Sequence, residues 1–126
     1  MPPKILIVDD EAHIRMLIEQ TLEELEDEGV EFLSAENGEI ALEVIQKEKP
    51  KLVFLDVMMP KMNGMEVCRR VKQELCMSDT FIVLLTAKGQ EADRQKGLDM
   101  GADVYMTKPF DPEVLLNKAK EVLGIE

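Results

Sequence analysis

The chain is short of positive charge: 15 Lys and Arg stand against 26 Asp and Glu, a formal net charge of −11. Nucleic-acid binders gain affinity by neutralising phosphates with clustered basic side chains, so this balance argues against direct nucleic-acid binding. Its plain consequence is a solvated acidic surface. No apolar run approaches the ~20 residues that cross a bilayer. The apolar stretch near the N-terminus is interrupted by Asp9 and Asp10, which excludes a signal peptide. The absence of Gly-x-Gly-x-x-Gly removes the usual signature of a dinucleotide site. Histidine occurs once, as His13, in the first turn of the first predicted helix, where a surface position is expected. Cys68 and Cys76 fall in one predicted helix, about 12 Å apart along its axis, too far to pair. Reduced structural thiols in a cytoplasmic protein are the expectation.

What is present suits a single domain spanning residues 1–126, since a chain of this length buries roughly two thirds of its unfolded surface and 45% of its residues are hydrophobic. Four short apolar runs of strand type stand out: Ile5-Leu6-Ile7-Val8, Leu52-Val53-Phe54-Leu55, Phe81-Ile82-Val83-Leu84-Leu85 and Val104-Tyr105-Met106. A further strand is expected from Val30 to Ala35. Between them lie amphipathic segments. Ile14, Leu17, Ile18, Leu22 and Leu25 recur at helical spacing and predict a helix over residues ~11 to ~28, ended by Gly29. Asn37 is a cap for a helix carrying Ile40, Ala41, Val44 and Ile45, which Lys49-Pro50 stops. After the turn-rich Val57–Gly64 segment comes a helix with Val67, Cys68, Val71 and Leu75 inward. A fourth helix is expected over residues ~90 to ~100, after Ala87-Lys88-Gly89 and closed by Gly101. Asp111-Pro112 opens the last, with Val114, Leu115, Ala119, Val122 and Leu123 inward. Five β-α units with right-handed crossovers make an α/β fold, a doubly wound parallel sheet covered by helices on both faces.

In such a sheet the carboxyl ends of the strands share one edge, where ligands bind. Asp9 and Asp10, Asp56, Thr86 and Lys108 each close an apolar run, so residues a hundred positions apart are expected to meet there. Three carboxylates at close range raise one another's pKa and call for a cation. An all-oxygen donor set suits Mg²⁺ better than zinc, which favours His or Cys. Lys108 adds a fixed positive charge and Thr86 a hydroxyl donor, together the equipment of phosphoryl transfer, with Asp56 the candidate nucleophile.

The chain resembles the receiver domains of two-component response regulators. The resemblance is carried by Lys4-Ile5-Leu6-Ile7-Val8-Asp9-Asp10-Glu11, Asp56-Val57-Met58-Met59-Pro60-Lys61-Met62-Asn63-Gly64, Leu84-Leu85-Thr86-Ala87, Gly101-Ala102-Asp103 and Tyr105-Met106-Thr107-Lys108-Pro109-Phe110, in that order along essentially the whole chain. It implies a flavodoxin-like strand order of 2-1-3-4-5. It also implies that Asp56 is the phosphoacceptor, with Asp10, Asp56 and the Met58 backbone carbonyl as direct Mg²⁺ ligands and Asp9 acting through metal-bound water. Thr86 and Lys108 would bind phosphoryl oxygens, and the Lys108-Pro109 bond would be cis. On phosphorylation Thr86 turns toward the new oxygens, Tyr105 rotates inward, and the surface of helix four, strand five and helix five changes.

The partners so implied are a sensor histidine kinase or phosphotransfer protein as donor, and a downstream effector or linked output domain. Phosphorylation-dependent dimerisation is a further expectation; a membrane role is not. Met58 and Lys88 flank the path of the hydrolytic water in this family, and the bulky, non-acidic Met58 predicts a long-lived phosphoryl group. Many members joined to winged-helix DNA-binding domains have two acids before the aromatic of strand five; here the order is Asp103-Val104-Tyr105. Met58, Met59, Met62 and Met65 are expected to pack locally rather than form a docking surface. The ending Glu121–Glu126 leaves no effector domain in this sequence, which fits both a stand-alone regulator and a piece of a longer protein.

Two other classes share the residue types or the fold. Haloacid dehalogenase phosphatases use Mg²⁺, an Asp nucleophile, a Thr or Ser and a Lys, but their Asp-x-Asp signature does not match Asp9-Asp10-Glu11, and there is no room for a substrate cap. A flavin phosphate would be repelled by those three acids. The expectation is therefore a switch that speeds its own phosphorylation and dephosphorylation and is not a metabolic enzyme.

Overall fold

A computed structural model describes residues 2–59, 61–87 and 94–125. The strands are β1 (Lys4–Val8), β2 (Glu31–Ala35), β3 (Leu52–Asp56), β4 (Phe81–Ala87) and β5 (Val104–Lys108). The helices are α1 (Ala12–Thr21), α2 (Gly38–Glu48), α3 (Gly64–Arg69), α4 (Arg94–Asp99) and α5 (Pro112–Leu123). The strands form one sheet in the order β2-β1-β3-β4-β5, and all four pairings are parallel. This is the flavodoxin-like order expected from the sequence.

The period-two geometry of a strand sorts the apolar runs onto two faces. Ile5, Ile7, Leu52, Phe54, Val83 and Leu85 pack with Ile18 and Leu22 at the α1 end and with Leu115 and Ala119 of α5. The alternate residues Leu6, Val8, Val53, Leu55, Ile82 and Leu84 pack with Ala41 and Ile45 of α2 and with Val67 and Cys68 of α3. Every residue of β3 is buried, as a central strand covered on both sides requires. Helix starts follow their caps: the side chains of Asn37, Asn63 and Asp111 accept the N–H groups of Ile40, Glu66 and Glu113, each at 2.9 Å.

Several local expectations are corrected. The first helix ends at Thr21, and Glu23–Glu28 form a 3₁₀ turn before Gly29 at φ 83°. Five acids in those six residues crowd the carbonyl end of the helix, where negative charge is unfavourable. β2 begins at Glu31 rather than Val30. Leu17 is exposed, whereas Ile18, Leu22 and Leu25 are fully buried. After α3, Arg70–Glu74 form a π turn in which the Leu75 N–H donates to the Arg70 carbonyl. The wider turn rotates Leu75 outward, and Met77 packs against the core instead. Cys76 lies beyond that turn at φ 53°, so the two thiols do not share a helix; both are free. Burial pushes the Cys68 thiol up to about 12, which suits an inert packing role. Val114 is exposed at the open end of α5. Pro60, Lys88, Gly89 and the expected start of the fourth helix lie outside the described residues. No helix among the described residues is long and apolar enough to cross a membrane.

The loop after β3 is clamped at both ends. A Cβ on Gly38 would lie 2.1 Å from the Met62 carbonyl oxygen, and one on Gly64 would lie 2.2 Å from that of Asp56. The Gly64 N–H in turn donates to the Val57 carbonyl at 2.9 Å. Gly64→Ala must therefore push α3 away from the end of β3. Urea denaturation should show a loss of about 1–3 kcal/mol; a loss within experimental error would mean that the loop yields freely.

Candidate functional site

Four strands deliver residues to the carboxyl edge of the sheet. Asp9 follows the last residue of β1, Asp56 ends β3, Thr86 is next to last in β4 and Lys108 ends β5. The register aligns them, with Val8 opposite Leu55, Asp56 opposite Leu85, and Ala87 opposite Lys108. β1 and β3 are adjacent, while the chain leaves β1 for β2 on its other side, so Asp9 and Asp56 sit at the topological switch point.

Lys108 Nζ donates to Asp9 Oδ2 at 3.2 Å and to Asp56 Oδ1 at 3.0 Å. One ammonium thus bridges two carboxylates that are 0% and 4% exposed. Asp9 is further fixed: its Oδ1 accepts the Glu11 N–H at 2.9 Å, its own N–H donates to the Ala35 carbonyl at 3.2 Å, and its carbonyl accepts from the Arg15 guanidinium. Asp10 is exposed at the rim, yet one oxygen from each of Asp9, Asp10 and Asp56 lies within 4.8 Å of the other two.

The electrostatics follow from that crowding. Burial, and then the Asp9 carboxylate beside it, push the Asp56 carboxyl from 3.8 up to about 6, against the opposing pull of Lys108. Burial likewise raises Asp9, opposed by the Glu11 N–H and by Lys108. For Lys108 burial acts downward, but the bonds and charges of Asp56 and Asp9 outweigh it and hold the ammonium above its usual 10.5. Three carboxylates against one ammonium leave a formal charge of −2. The donor set is oxygen only, with neither histidine nor cysteine in it, so it fits a hard divalent cation.

The remaining expected residues take the following places. Thr86 is buried, and its backbone pairs across to Thr107. Tyr105 is half-buried, packs against the core, and lines a cavity of about 310 Å³ with Met106, Thr107, Pro109, Phe110, Asp111 and Val114. The Lys108-Pro109 bond is cis. Met58 projects its side chain to solvent, 62% exposed. Met59, Met62 and Met65 pack into the core on the α2 and α3 side, so three of the four loop methionines pack locally as expected. His13 is exposed, 3.2 Å from Glu11, in the surface position expected of it. Sequence reasoning missed Arg15 and the Glu11 N–H as partners of Asp9. A cation one helical turn past the acids is a signal for the first, but the second is a backbone group and has none.

The fold and site define a doubly wound parallel α/β domain with a lysine-bridged acid cluster at its switch point, and comparison with known proteins narrows the class. Residues 5–120 match the response regulator receiver domain, and the chain belongs to that family. It is 45% identical over 123 residues to the alkaline phosphatase synthesis transcriptional regulatory protein PhoP of Bacillus subtilis, covering 98% of this chain and 49% of that protein. It is 48% identical over 119 residues to the phosphate regulon transcriptional regulatory protein PhoB of Pseudomonas aeruginosa, covering 94% and 51%. The chain therefore spans about half the length of these relatives. Among solved structures it is similar to the chemotaxis protein CheY4 of Vibrio cholerae, with TM-score 0.82 and 34% identity over 97% of this chain and 99% of that one. It is also similar to a CheY-like receiver domain protein of Methanospirillum hungatei, with TM-score 0.85 and 31% identity over 98% and 95%. The resemblance read from the motifs is borne out, and the phosphatase reading has no support.

A carboxylate whose folded pKa is raised stabilises the fold only while it is protonated. The Asp56 contribution is therefore present below about pH 4 and is lost as pH rises through about 6. In the presence of a chelator, Asp56→Asn should match the parent protein near pH 4 and exceed it by about 1–3 kcal/mol at pH 7, measured by urea denaturation across that range. Equal stability at both pH values would show that the acids do not strain the fold.

Proposed function

We propose that this chain accepts a phosphoryl group on Asp56 from a phosphohistidine of a sensor histidine kinase or phosphotransfer protein. The observation that carries the reading is the Lys108 ammonium bridging Asp9 and Asp56, with Asp10 close beside them, in a chain that belongs to the receiver family over residues 5–120. An Asp56 oxygen attacks the phosphorus; the P–O bond forms as the P–N bond breaks, and the imidazole leaves with the electron pair and takes a proton from solvent. Asp9, Asp10, Asp56 and the Met58 carbonyl would hold Mg²⁺, which when bound supplies neutralising charge for the incoming phosphoryl oxygens. Lys108 exchanges its carboxylate partners for phosphoryl oxygens, and the Thr86 hydroxyl donates to another.

The switch uses the same residues. When Thr86 turns toward the phosphoryl group it vacates space, and Tyr105 rotates into it, which remodels the α4, β5 and α5 surface. A Cβ on Gly97 would lie 2.8 Å from Leu84 Cδ1 but only in ordinary contact, 3.5 Å, with Tyr105 Cδ2, so the glycine serves the close seating of α4 on β4 beside the aromatic ring. That surface meets a downstream effector, a linked output domain or a second copy. The transcriptional regulators PhoP and PhoB, twice the length of this chain, favour a linked output domain. The chain itself turns over no metabolite.

Incubation with a small acyl phosphate and Mg²⁺ should add one phosphoryl group, read by mass spectrometry, and Asp56→Asn should take up none; persistent label on the variant refutes the assignment. Tyr105 is the sole tyrosine and tryptophan is absent, so intrinsic emission reports on that ring. Lys108→Ala should still bind Mg²⁺ and accept the group, but without the change in tyrosine emission that the parent protein shows. An equal change in both would count against Lys108 as the coupling residue. With exposed, non-acidic Met58 beside the acceptor, phosphoryl loss should take minutes or longer in a timed decay, and loss within seconds would contradict that role.

A further inference from the structure

Arg15 reaches the acidic edge but has no part in the reading above. β1 ends at Val8 and α1 begins at Ala12, so only Asp9, Asp10 and Glu11 turn the chain from sheet to helix. These same residues must aim two carboxylates at one point. The N-cap residue Glu11 makes no side-chain cap bond, so the usual device for fixing a helix start is absent. One turn into α1, the Arg15 guanidinium reaches back and donates to the Asp9 carbonyl at 2.5 Å. Among the described residues it is paired with no carboxylate, so its contact with the acids runs through the backbone.

The Asp9 carbonyl belongs to the peptide plane that joins Asp9 to Asp10. Pinning that oxygen fixes the rotation of the plane and with it the direction in which the Asp10 side chain leaves the backbone. Asp9 needs little such help, because its carboxylate is buried and bonded on both oxygens. The Asp10 carboxylate is exposed at the rim and, among the described residues, has no hydrogen bond or ion pair of its own to hold it, so the orientation of its backbone matters more. A charge-assisted bond from a planar guanidinium is about twice as strong as a neutral one, which suits a hinge that must not turn.

We propose that Arg15 is a positioning residue of the cation site: by tying the first turn of α1 to the Asp9 carbonyl, it sets the Asp9–Asp10 peptide so that Asp10 faces Asp56. The inference rests on the reading of the acidic edge as a Mg²⁺ site. Groups that orient metal ligands typically cost 10- to 100-fold in metal affinity when removed.

Calorimetric titration of the whole chain with Mg²⁺ tests this on the parent protein, Arg15→Met and Arg15→Lys. Arg15→Met should bind about tenfold more weakly, and Arg15→Lys, which keeps a charged donor, should recover to within about threefold of the parent. In the metal-free protein, Arg15→Met should speed amide exchange at Glu11, whose N–H is held by Asp9, but not at Leu6 or Ile7 within β1. Unchanged Mg²⁺ affinity in Arg15→Met overturns the role of Arg15 alone. Exchange that quickens equally along β1 shows a general loosening and also overturns it. A parent protein that binds no Mg²⁺ overturns the reading of the site itself, and the positioning role falls with it.

Discussion

Three carboxylates converge on a partly dry edge of the sheet with a single ammonium to answer them, and the rest of the site is organised around that imbalance. Lys108 lies within hydrogen-bonding distance of both buried acids and serves each as counter-ion. Its one charge leaves the cluster negative, and burial makes that costly, because the interior screens charge less than water does. The imbalance suits a divalent cation.

Such a cluster is tolerable only on a rigid support. Two continuous apolar layers, one on each face of the sheet, hold β1 and β3 in register. The contact at Gly64 presses α3 directly against the carbonyl of Asp56, the residue that carries one of the two buried carboxylates. The bonds at Asp9 run from its backbone to β2 and α1 and from its carboxylate to the Glu11 N–H and β5, so several elements bear on one residue. By contrast Tyr105 is half-buried on a strand none of whose residues is fully buried, and it adjoins a cavity.

Much of this was legible in the chain. Strand-end acids, the threonine and the lysine were identifiable because a parallel sheet needs unbroken apolar runs, and a polar residue closing each run stands out against them. The caps at Asn37 and Asp111 were equally plain, being local bonds between near neighbours. The misreadings at Leu75 and Cys76 came where a helix changes its winding. Helical spacing placed Leu75 inward and Cys76 in the same helix as Cys68, but the π turn at Arg70–Glu74 alters the angle per residue, and every later side chain is displaced from its expected face. The acidic run after Thr21 preserved an apolar spacing that survives in a 3₁₀ turn, so Leu22 and Leu25 are buried as expected although the α-helix has ended.

The sequence by itself determined that the strand-end residues share one edge, since β-α units with right-handed crossovers put every strand's carboxyl end on the same side of a parallel sheet, while the strand order was implied by the receiver-family motifs. It also determined the sign of the site, because three acids and one lysine are a matter of composition. Only the tertiary structure decided how that charge is held. The Lys108 bridge spans 99 and 52 residues of chain, and the Arg15 anchor depends on the angle at which α1 leaves the sheet. Neither is a local preference of the backbone. Both depend on where the two apolar layers place the strand ends, and on burial, which turns ordinary aspartates into groups that must be paired.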